Sequence, residues 1–317
     1  YRYVSQNGSS RRWLGKDYSD GARYVDALSH PKLTVEYNAT VWRLDSEPSV
    51  AWSQNGISQF STASHIILAT GAQERPVPFP GWTVPGVMTA GSAQILMKTA
   101  GMLPRDAVLA GSGPLLYLIA AQMIEAGSPP KALVETQTPR MMVAAVRYMP
   151  KAMQALPTLL KGLGLIRKIQ SAGVRRYKNA SSFAAKANDD GTVDFSFSSK
   201  GNRETLTCAI LLTHQGVIPS THMSRAAGIE HEWNETQNAF QPITDEWGGT
   251  DQCGLHVVGD GAGIGGVETA AFAGDLVALH TLFLRGKITE DTRALRERNI
   301  TTTLTRTVAH RPSPTPS

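Results

Sequence analysis

The order of hydrophobic and polar positions along the chain predicts a mixed α/β protein. Residues 33–41 alternate between apolar and polar side chains, which is typical of a half-buried strand. Two short strands are predicted on either side of Asn55-Gly56, a pair that favours a tight hairpin turn. The continuous apolar run over 64–70 (SHIILAT) then predicts a strand that is covered on both faces.

A strand–turn–helix–strand pattern follows a proline-rich connector. Residues 107–110 predict an apolar strand, Gly111-Ser112-Gly113 a tight turn, and Pro114 a favourable first residue for the apolar helix over 115–126. A further strand over 131–135 completes a βαβ unit.

The last third of the chain predicts a second transition from strand to helix. After predicted strands at 192–197 and 204–213, the segment 254–274 (GLHVVGDGAGIGGVETAAFAG) runs from an apolar strand through a glycine-rich turn into a helix over 265–285. Residues 288–317 are polar and end in a proline-rich stretch, so we expect a disordered tail.

Composition narrows the class of protein. The 317 residues, 41% of them hydrophobic, can form two domains with sizeable cores. We find no apolar run of membrane-spanning length and no secretory signal, and therefore expect a cytoplasmic protein without a membrane span. The two cysteines, Cys208 and Cys253, are far apart and form no Cys-x-x-Cys pair, and the eight histidines show no ligand spacing, so no metal site is expected.

The net charge of +5 is concentrated between Arg140 and Lys178, where no acidic residue occurs. This basic segment is interpreted as a solvated face, with an anionic ligand or acidic partner as the alternative. Nucleic acid is not expected, because methionines rather than stacking aromatic residues lie between the charges. The methionines predict a helix with one apolar side, used for the core or for a subunit contact: Met141, Met142, Met149 and Met153.

Two glycine-rich turns carry candidate nucleotide chemistry. Gly111-x-Gly113 lets a pyrophosphate approach the N-terminus of the following helix, and Glu135 at the end of the next strand can accept the hydroxyls of an adenosine ribose and repel a 2′-phosphate. NAD is therefore favoured over NADP. Leu116 stands where the fingerprint has its third glycine, and a βαβ unit that binds no ligand is the alternative.

The second turn places the carboxylate of Asp260 at the end of a buried strand, between Gly259 and Gly261. An unpaired charge is costly there, so the carboxylate is predicted to accept a cofactor hydroxyl. The alternative is an N-cap for the following helix. Thr70-Gly71, at the end of another buried strand, is a weaker candidate of the same kind.

These motifs, in this order, resemble the flavoproteins with two nucleotide-binding domains, the glutathione-reductase-like fold. The resemblance implies that Thr70 and Gly71 lie near FAD, that Gly111 and Gly113 open an NAD(P)-binding domain, and that the loop after the last strand holds the ribityl chain of FAD. The residues of that loop are Gly259, Asp260, Gly261 and Gly263. Four segments look like the FAD-containing A or α subunits of opine, proline and related amine dehydrogenases, and like the FAD-binding subunit of hydrogen cyanide synthase. They are IILATGAQERPVPFPGW, AGSGPLLYLIAAQ, THQGVIPS and VVGDGAGIGG.

The implied fold class is α/β, with two Rossmann-like nucleotide-binding domains, the second inserted in the first. Residues 1–101 and 210–287 are expected to form a partial FAD-binding domain, and 102–209 the inserted NAD(P)-binding-like domain. The first βαβ unit of the FAD domain is expected to be missing, because the chain starts at Tyr1 without the family's N-terminal Gly-x-Gly-x-x-Gly. The cysteine-rich segment that can ligate an iron–sulfur cluster in this family is also absent from the sequence.

The resemblance also implies a function. It predicts a subunit of an FAD-dependent oxidoreductase that oxidises C–N bonds of amines, amino acids or opines by hydride transfer to flavin, with NAD or another adenine nucleotide as a second ligand. A second flavoprotein subunit is the expected partner. His214, at a strand end near the expected flavin edge, is the one candidate catalytic residue, with a structural role as the alternative. A truncated, inactive remnant or assembly module remains open, whereas a disulfide reductase lacks its cysteine pair.

Overall fold

Residues 21–137 and 156–308 are described in the computed structural model of the protein. The predicted methionine-rich helix, from Met141 to Met153, lies outside the described residues. The described α-helices are α1 (Ala22–Asp26), α2 (Ala90–Thr99), α3 (Pro114–Glu125), α4 (Leu156–Ser171), α5 (His222–Ala226), α6 (Val267–Leu284) and α7 (Glu290–Val308).

The strands in the same ranges are β1 (Thr40–Asp45), β2 (Ser49–Gln54), β3 (Ile57–Thr62), β4 (Ile66–Leu68), β5 (Ala72–Glu74), β6 (Val87–Thr89), β7 (Ala107–Ser112), β8 (Ala132–Glu135), β9 (Arg175–Tyr177), β10 (Ala180–Ala187), β11 (Val193–Ser199), β12 (Asn202–Cys208), β13 (Ile210–Gln215), β14 (Val217–Pro219), β15 (His231–Asn234), β16 (Ala239–Pro242) and β17 (Leu255–Val257).

The chain divides into two compact units, one inserted in the other. The inserted unit comprises the described residues of Tyr1–Val35 and Glu74–Gly216, and the outer unit those of Glu36–Gln73 and Val217–Ser317. An insertion was predicted, but over 102–209. The inserted unit starts earlier because β6 pairs with β13 and α2 packs Met97 into the core of this unit.

The inserted unit contains an open parallel sheet with the order β6-β13-β7-β8-β9 within the described residues. The predicted βαβ unit is β7–α3–β8, with Pro114 as the first helical residue. Strands β7, β8 and β9 follow one another across the sheet, whereas β13 and β6 lie on the other side of β7. Ligands of such sheets bind beyond the carboxyl ends of the strands where the order reverses, here between β7 and β13.

An antiparallel sheet, β10-β11-β12, forms a second layer of the inserted unit and packs Phe195 and Phe197 into its core. The predicted strand over 204–213 is wrong as a single strand, because the chain leaves β12 and enters β13 of the parallel sheet. Ala209 lies between these two strands, and its backbone N–H donates to the carbonyl of Asp106 at 3.0 Å. This bond fixes the point at which the chain changes sheets.

The outer unit holds a parallel pair, β4 and β17, and an antiparallel sheet, β1-β2-β3. Its core includes Leu68, Leu255 and Val257. The predicted hairpin turn is confirmed, since Asn55 and Gly56 both have positive φ, 51° and 79°.

Two strands predicted between residues 33 and 70 are shorter than expected. Residues 33–39 are not a strand, because Asn38 has a left-handed φ of 58° and the side chain of Gln54 donates to the carbonyl of Tyr37. The strand predicted over 64–70 is reduced to β4, and Ile67 on it is 40% exposed rather than covered on both faces.

The disordered tail predicted for 288–317 is wrong over α7. The hydroxyl of Thr289 accepts from the backbone N–H of Thr292 at 3.3 Å, which caps the helix. The guanidinium of Arg293 lies 4.8 Å from the ring centre of Trp247 and 4.5 Å from that of Phe283. Helix α7 lacks an apolar stripe, and it is held by packing along α6 and by this stacked arginine.

Helix α6 is the one described helix that is long and apolar enough to cross a membrane by length and composition, with a mean hydropathy of 1.4. The sequence analysis predicted no membrane span and did not identify this helix as a candidate. Apolar helices that pack within soluble proteins meet the same criterion.

Candidate nucleotide-binding sites

The structure brings two of the sequence motifs together at one edge of the outer unit. Thr70-Gly71 follows β4 and Gly259-Asp260 follows β17, and these strands are parallel neighbours in register, Leu68 opposite Val257. The carboxyl ends of parallel neighbours meet at the same edge, which is where α/β sheets bind ligands.

Gly261 makes the contact between these motifs possible. A Cβ atom there would lie 3.0 Å from the hydroxyl oxygen of Thr70 and 3.4 Å from the backbone nitrogen of Gly71. The hydroxyl of Thr70 in turn donates to the carbonyl of Ser220 at 3.0 Å. The glycine therefore serves close backbone approach, as a nucleotide-binding loop requires.

Asp260 uses its two carboxylate oxygens differently. Oδ1 accepts from the backbone N–H groups of Gly265 at 2.9 Å and of Gly266 at 2.7 Å, just before α6 begins. Oδ2 has no hydrogen-bond partner among the described residues. The N-cap residue of α6 is Gly266, without a side-chain cap, so the alternative that Asp260 caps this helix is wrong. Asp260 instead holds the loop before α6 through one oxygen and leaves the other for a hydroxyl donor.

A cavity of about 260 Å³ adjoins this carboxylate within the outer unit. Polar and glycine positions line one part of it, including Asp260, Gly263 and Thr269, and aromatic side chains line another, including Trp247 and Phe272. A carboxylate acceptor, a glycine loop and a helix N-terminus beside apolar walls fit a hydroxyl-bearing chain attached to a flat ring.

The second pair of predicted glycines lies at the strand-order reversal of the inserted unit. A Cβ atom on Gly111 would lie 1.8 Å from the carbonyl oxygen of His214 on the adjacent β13, so only glycine fits. Gly113, with φ of 102°, is the N-cap of α3. Leu116, at the position of the third glycine, is fully buried in the core. The turn thus retains the geometry that admits a phosphate at a helix N-terminus.

His214 lies beside this turn, in the inserted unit. Its Nδ1 is 2.6 Å from Oε1 of Glu74, whose Oε2 accepts from the backbone N–H of Gly91 at 2.8 Å. Nε2 is 3.3 Å from the position of a Cβ on Gly113, and no hydrogen-bond partner for it exists among the described residues. Sequence reasoning missed Glu74 although it lies within IILATGAQERPVPFPGW, because it is 140 positions from His214 and motif spacing does not show their contact.

Glu135 ends β8 as predicted, but its carboxylate already has partners. Arg176 on the neighbouring β9 donates to it from Nε at 2.9 Å and from Nη2 at 2.7 Å, and the hydroxyl of Tyr117 donates to Oε1. Burial, followed by the hydrogen bond to Glu135, raises the pKa of Tyr117, and the hydrogen bond to Glu135 raises the pKa of Arg176. The carboxylate that was expected to bind ribose is therefore held in an internal ion pair.

The inserted unit contains a parallel sheet with a glycine turn where the strand order reverses. The outer unit contains a second glycine loop, between a strand and a helix. Together these features define a two-domain dinucleotide-binding protein. The sequence model of the pyridine nucleotide-disulphide oxidoreductase family matches residues 17–276. The chain belongs to this family of oxidoreductases. Membership implies sites for FAD and for a pyridine nucleotide, which the two glycine turns fit.

Curated relatives are named as subunits. The chain is 40% identical over 292 residues to the opine oxidase A subunit of Agrobacterium tumefaciens (strain Ach5), covering 89% of this chain and 58% of the relative. It is 32% identical over 239 residues to the HcnB subunit of the hydrogen cyanide synthase of Pseudomonas aeruginosa, covering 71% and 49%. The chain thus spans about half the length of the curated relatives it matches.

Among solved structures, the L-proline dehydrogenase of P. horikoshii superimposes with a TM-score of 0.65 at 14% identity, covering 91% of this chain and 51% of that one. At this identity the likeness establishes the fold. The expected α/β fold class is therefore confirmed.

Proposed function

We propose that the protein is the FAD-binding subunit of a dehydrogenase that oxidises a C–N bond of an amine, amino acid or opine. The observation that carries the proposal is the carboxylate of Asp260, which lines a cavity together with its own glycine loop and whose Oδ2 has no hydrogen-bond partner among the described residues. The names of the relatives, the opine oxidase A subunit above all, support the substrate class. A second flavoprotein subunit is the proposed partner.

In this proposal, Asp260 performs two tasks. Oδ1 keeps the loop before α6 in place, and Oδ2 accepts from a hydroxyl of the ribityl chain. The N-terminus of α6 contributes partial positive charge at the same place. When bound, FAD supplies the hydride acceptor, and the electrons pass to a second cofactor or an external acceptor.

The inserted unit is proposed to hold the second nucleotide. The backbone of the turn at Gly111 and Gly113 and the N-terminus of α3 suit a diphosphate. His214 directs Nε2 toward Gly113, and its other nitrogen is held by Glu74. This geometry supports a phosphate-contacting role for His214, in place of the catalytic role expected from the sequence.

The decisive experiment is to produce the full-length protein together with its partner and to record the flavin spectrum during anaerobic addition of opines, amino acids and amines. We expect bound flavin that is bleached by at least one member of this series. A folded protein without flavin would support the inactive remnant or assembly module. Bound flavin that no member of this series bleaches would contradict the substrate class.

A further inference from the structure

The carboxylate of Glu135 accepts three hydrogen bonds from donors of its own unit. Its side chain is 5% exposed and that of Arg176 is 13% exposed, with two parallel N–H···O contacts of 2.7 and 2.9 Å between them. The hydroxyl of Tyr117 adds a third donor. Such a planar, two-point pair is geometrically specific, and its charges cancel at short range.

The position of this pair matters because it lies along the path from diphosphate to ribose. Glu135 is in register with Gly111 of the phosphate turn. Tyr117 lies one helical turn after Gly113, on the helix whose N-terminus faces that turn. The pair therefore occupies the place at which a dinucleotide-binding unit reads the adenosine ribose.

A neutralised carboxylate has lost both properties on which selection for NAD depends. N–H and O–H donors engage three of its about four acceptor positions, so it cannot accept from both hydroxyls of a ribose diol. Its negative charge no longer repels a 2′-phosphate. In addition, Nη1 of Arg176 has no hydrogen-bond partner among the described residues, and guanidinium groups bind phosphate well.

We propose that Arg176, not Glu135, sets the nucleotide preference of the inserted unit, and that this site binds a 2′-phosphorylated adenine nucleotide at least as tightly as its 2′-hydroxyl counterpart. This inference rests on the proposed function only in assuming that the second site binds a nucleotide. It reverses the preference for NAD that the position of Glu135 predicts from sequence.

The test compares the dissociation constants of ADP-ribose and 2′-phospho-ADP-ribose for the purified, full-length protein, by calorimetry. These probes carry no nicotinamide, so the readout is independent of flavin reduction. We expect the phosphorylated probe to bind at least as tightly. In Arg176→Met, which leaves the charge of Glu135 unpaired, we expect ADP-ribose to be preferred by at least tenfold.

Arg176→Met can fail to fold, because it leaves a buried charge without a partner. The double variant Arg176→Met with Glu135→Gln carries no such charge, and it is expected to lose preference for the phosphorylated probe by at least fivefold relative to wild type. Arg175→Met is the matched control, since Arg175 is exposed on the same strand and its guanidinium lies 4.7 Å from the centre of the Tyr177 ring. It should leave the ratio unchanged.

Three outcomes overturn the inference. These are a wild-type protein that prefers ADP-ribose by tenfold or more, a wild-type protein that binds neither probe, and a double variant with the ratio of the wild type. Failure of the proposed function would appear elsewhere, as absent flavin or as flavin that no amine bleaches. The two proposals can therefore fail separately.

Discussion

Replacing Asp260 by asparagine separates the two tasks assigned to its carboxylate. The amide oxygen of asparagine is also a hydrogen-bond acceptor, so it can keep the bonds to the N–H groups of Gly265 and Gly266, now 2.9 and 2.7 Å from Oδ1. We expect the unfolding free energy of the FAD-free protein to fall by less than about 1 kcal/mol.

The effect on flavin binding should be larger. A hydrogen bond to a charged group contributes about 1.5–3 kcal/mol, which corresponds to an FAD dissociation constant that is roughly 10- to 100-fold higher in Asp260→Asn. The assay is a titration of FAD into the FAD-free full-length protein, followed by quenching of flavin fluorescence, with thermal denaturation of the same samples.

Asp190→Asn is the control, because the carboxylate of Asp190 also accepts a backbone N–H, from Thr192 at 2.9 Å, but on an exposed turn of the inserted unit. It should leave FAD affinity unchanged. If Asp260→Asn binds FAD within twofold of wild type, Oδ2 has no flavin hydroxyl as its partner, and the argument for the outer site fails.

Three further results are expected. Gly111→Ala places a Cβ 1.8 Å from a carbonyl oxygen at φ of 133° and should lower the unfolding free energy by more than about 3 kcal/mol. Gly127→Ala is the control, because its Cβ enters open space at φ of 78°, and it should lower the unfolding free energy by about 1 kcal/mol. Equal losses of stability in chemical denaturation would contradict this prediction. Burial, and to a lesser extent two neighbouring histidines, lower the pKa of His256. The unfolded chain therefore binds this proton more readily than the folded protein, and stability should fall as pH drops below 6.5. A melting temperature that is constant down to pH 5, or a fall that His256→Leu does not reduce, would refute this prediction. Burial raises the pKa of Cys208 to about 11, so a thiol reagent at neutral pH should modify exposed Cys253 alone in the native state, as read by mass spectrometry.

Sequence patterns predicted the parts of the fold that depend on the conformational preferences of neighbouring residues. Glycine spacing with Pro114 predicted the start of α3, and the glycine-rich loop after Asp260 predicted the start of α6. The tail was misjudged because α7 depends on tertiary contacts, its packing along α6 and the stacking of Arg293 on Trp247. Composition alone could not reveal these contacts.

The site was predictable only where one residue defines it by its position in a motif. Asp260 is a candidate of this kind, and its role in FAD binding stays a prediction, to which the structure adds that its two oxygens are used separately. The partners of Glu135 and His214 were not found, since Arg176 and Glu74 come from strands distant in sequence. Charge pairing across a sheet leaves no trace in motif spacing, and this is why the expected preference for NAD did not anticipate Arg176.

The insertion of one unit within another has a consequence for the order of folding. Strands β4 and β17 must pair across the whole inserted unit, and closing a flexible loop of roughly 190 residues would cost about 4–5 kcal/mol. In the folded inserted unit, the N–H of Arg75 donates to the carbonyl of Gly216 at 3.0 Å, so its entry and exit points are already adjacent. The inserted unit should therefore fold first during synthesis, and the edge that carries Asp260 should become competent for flavin only afterwards.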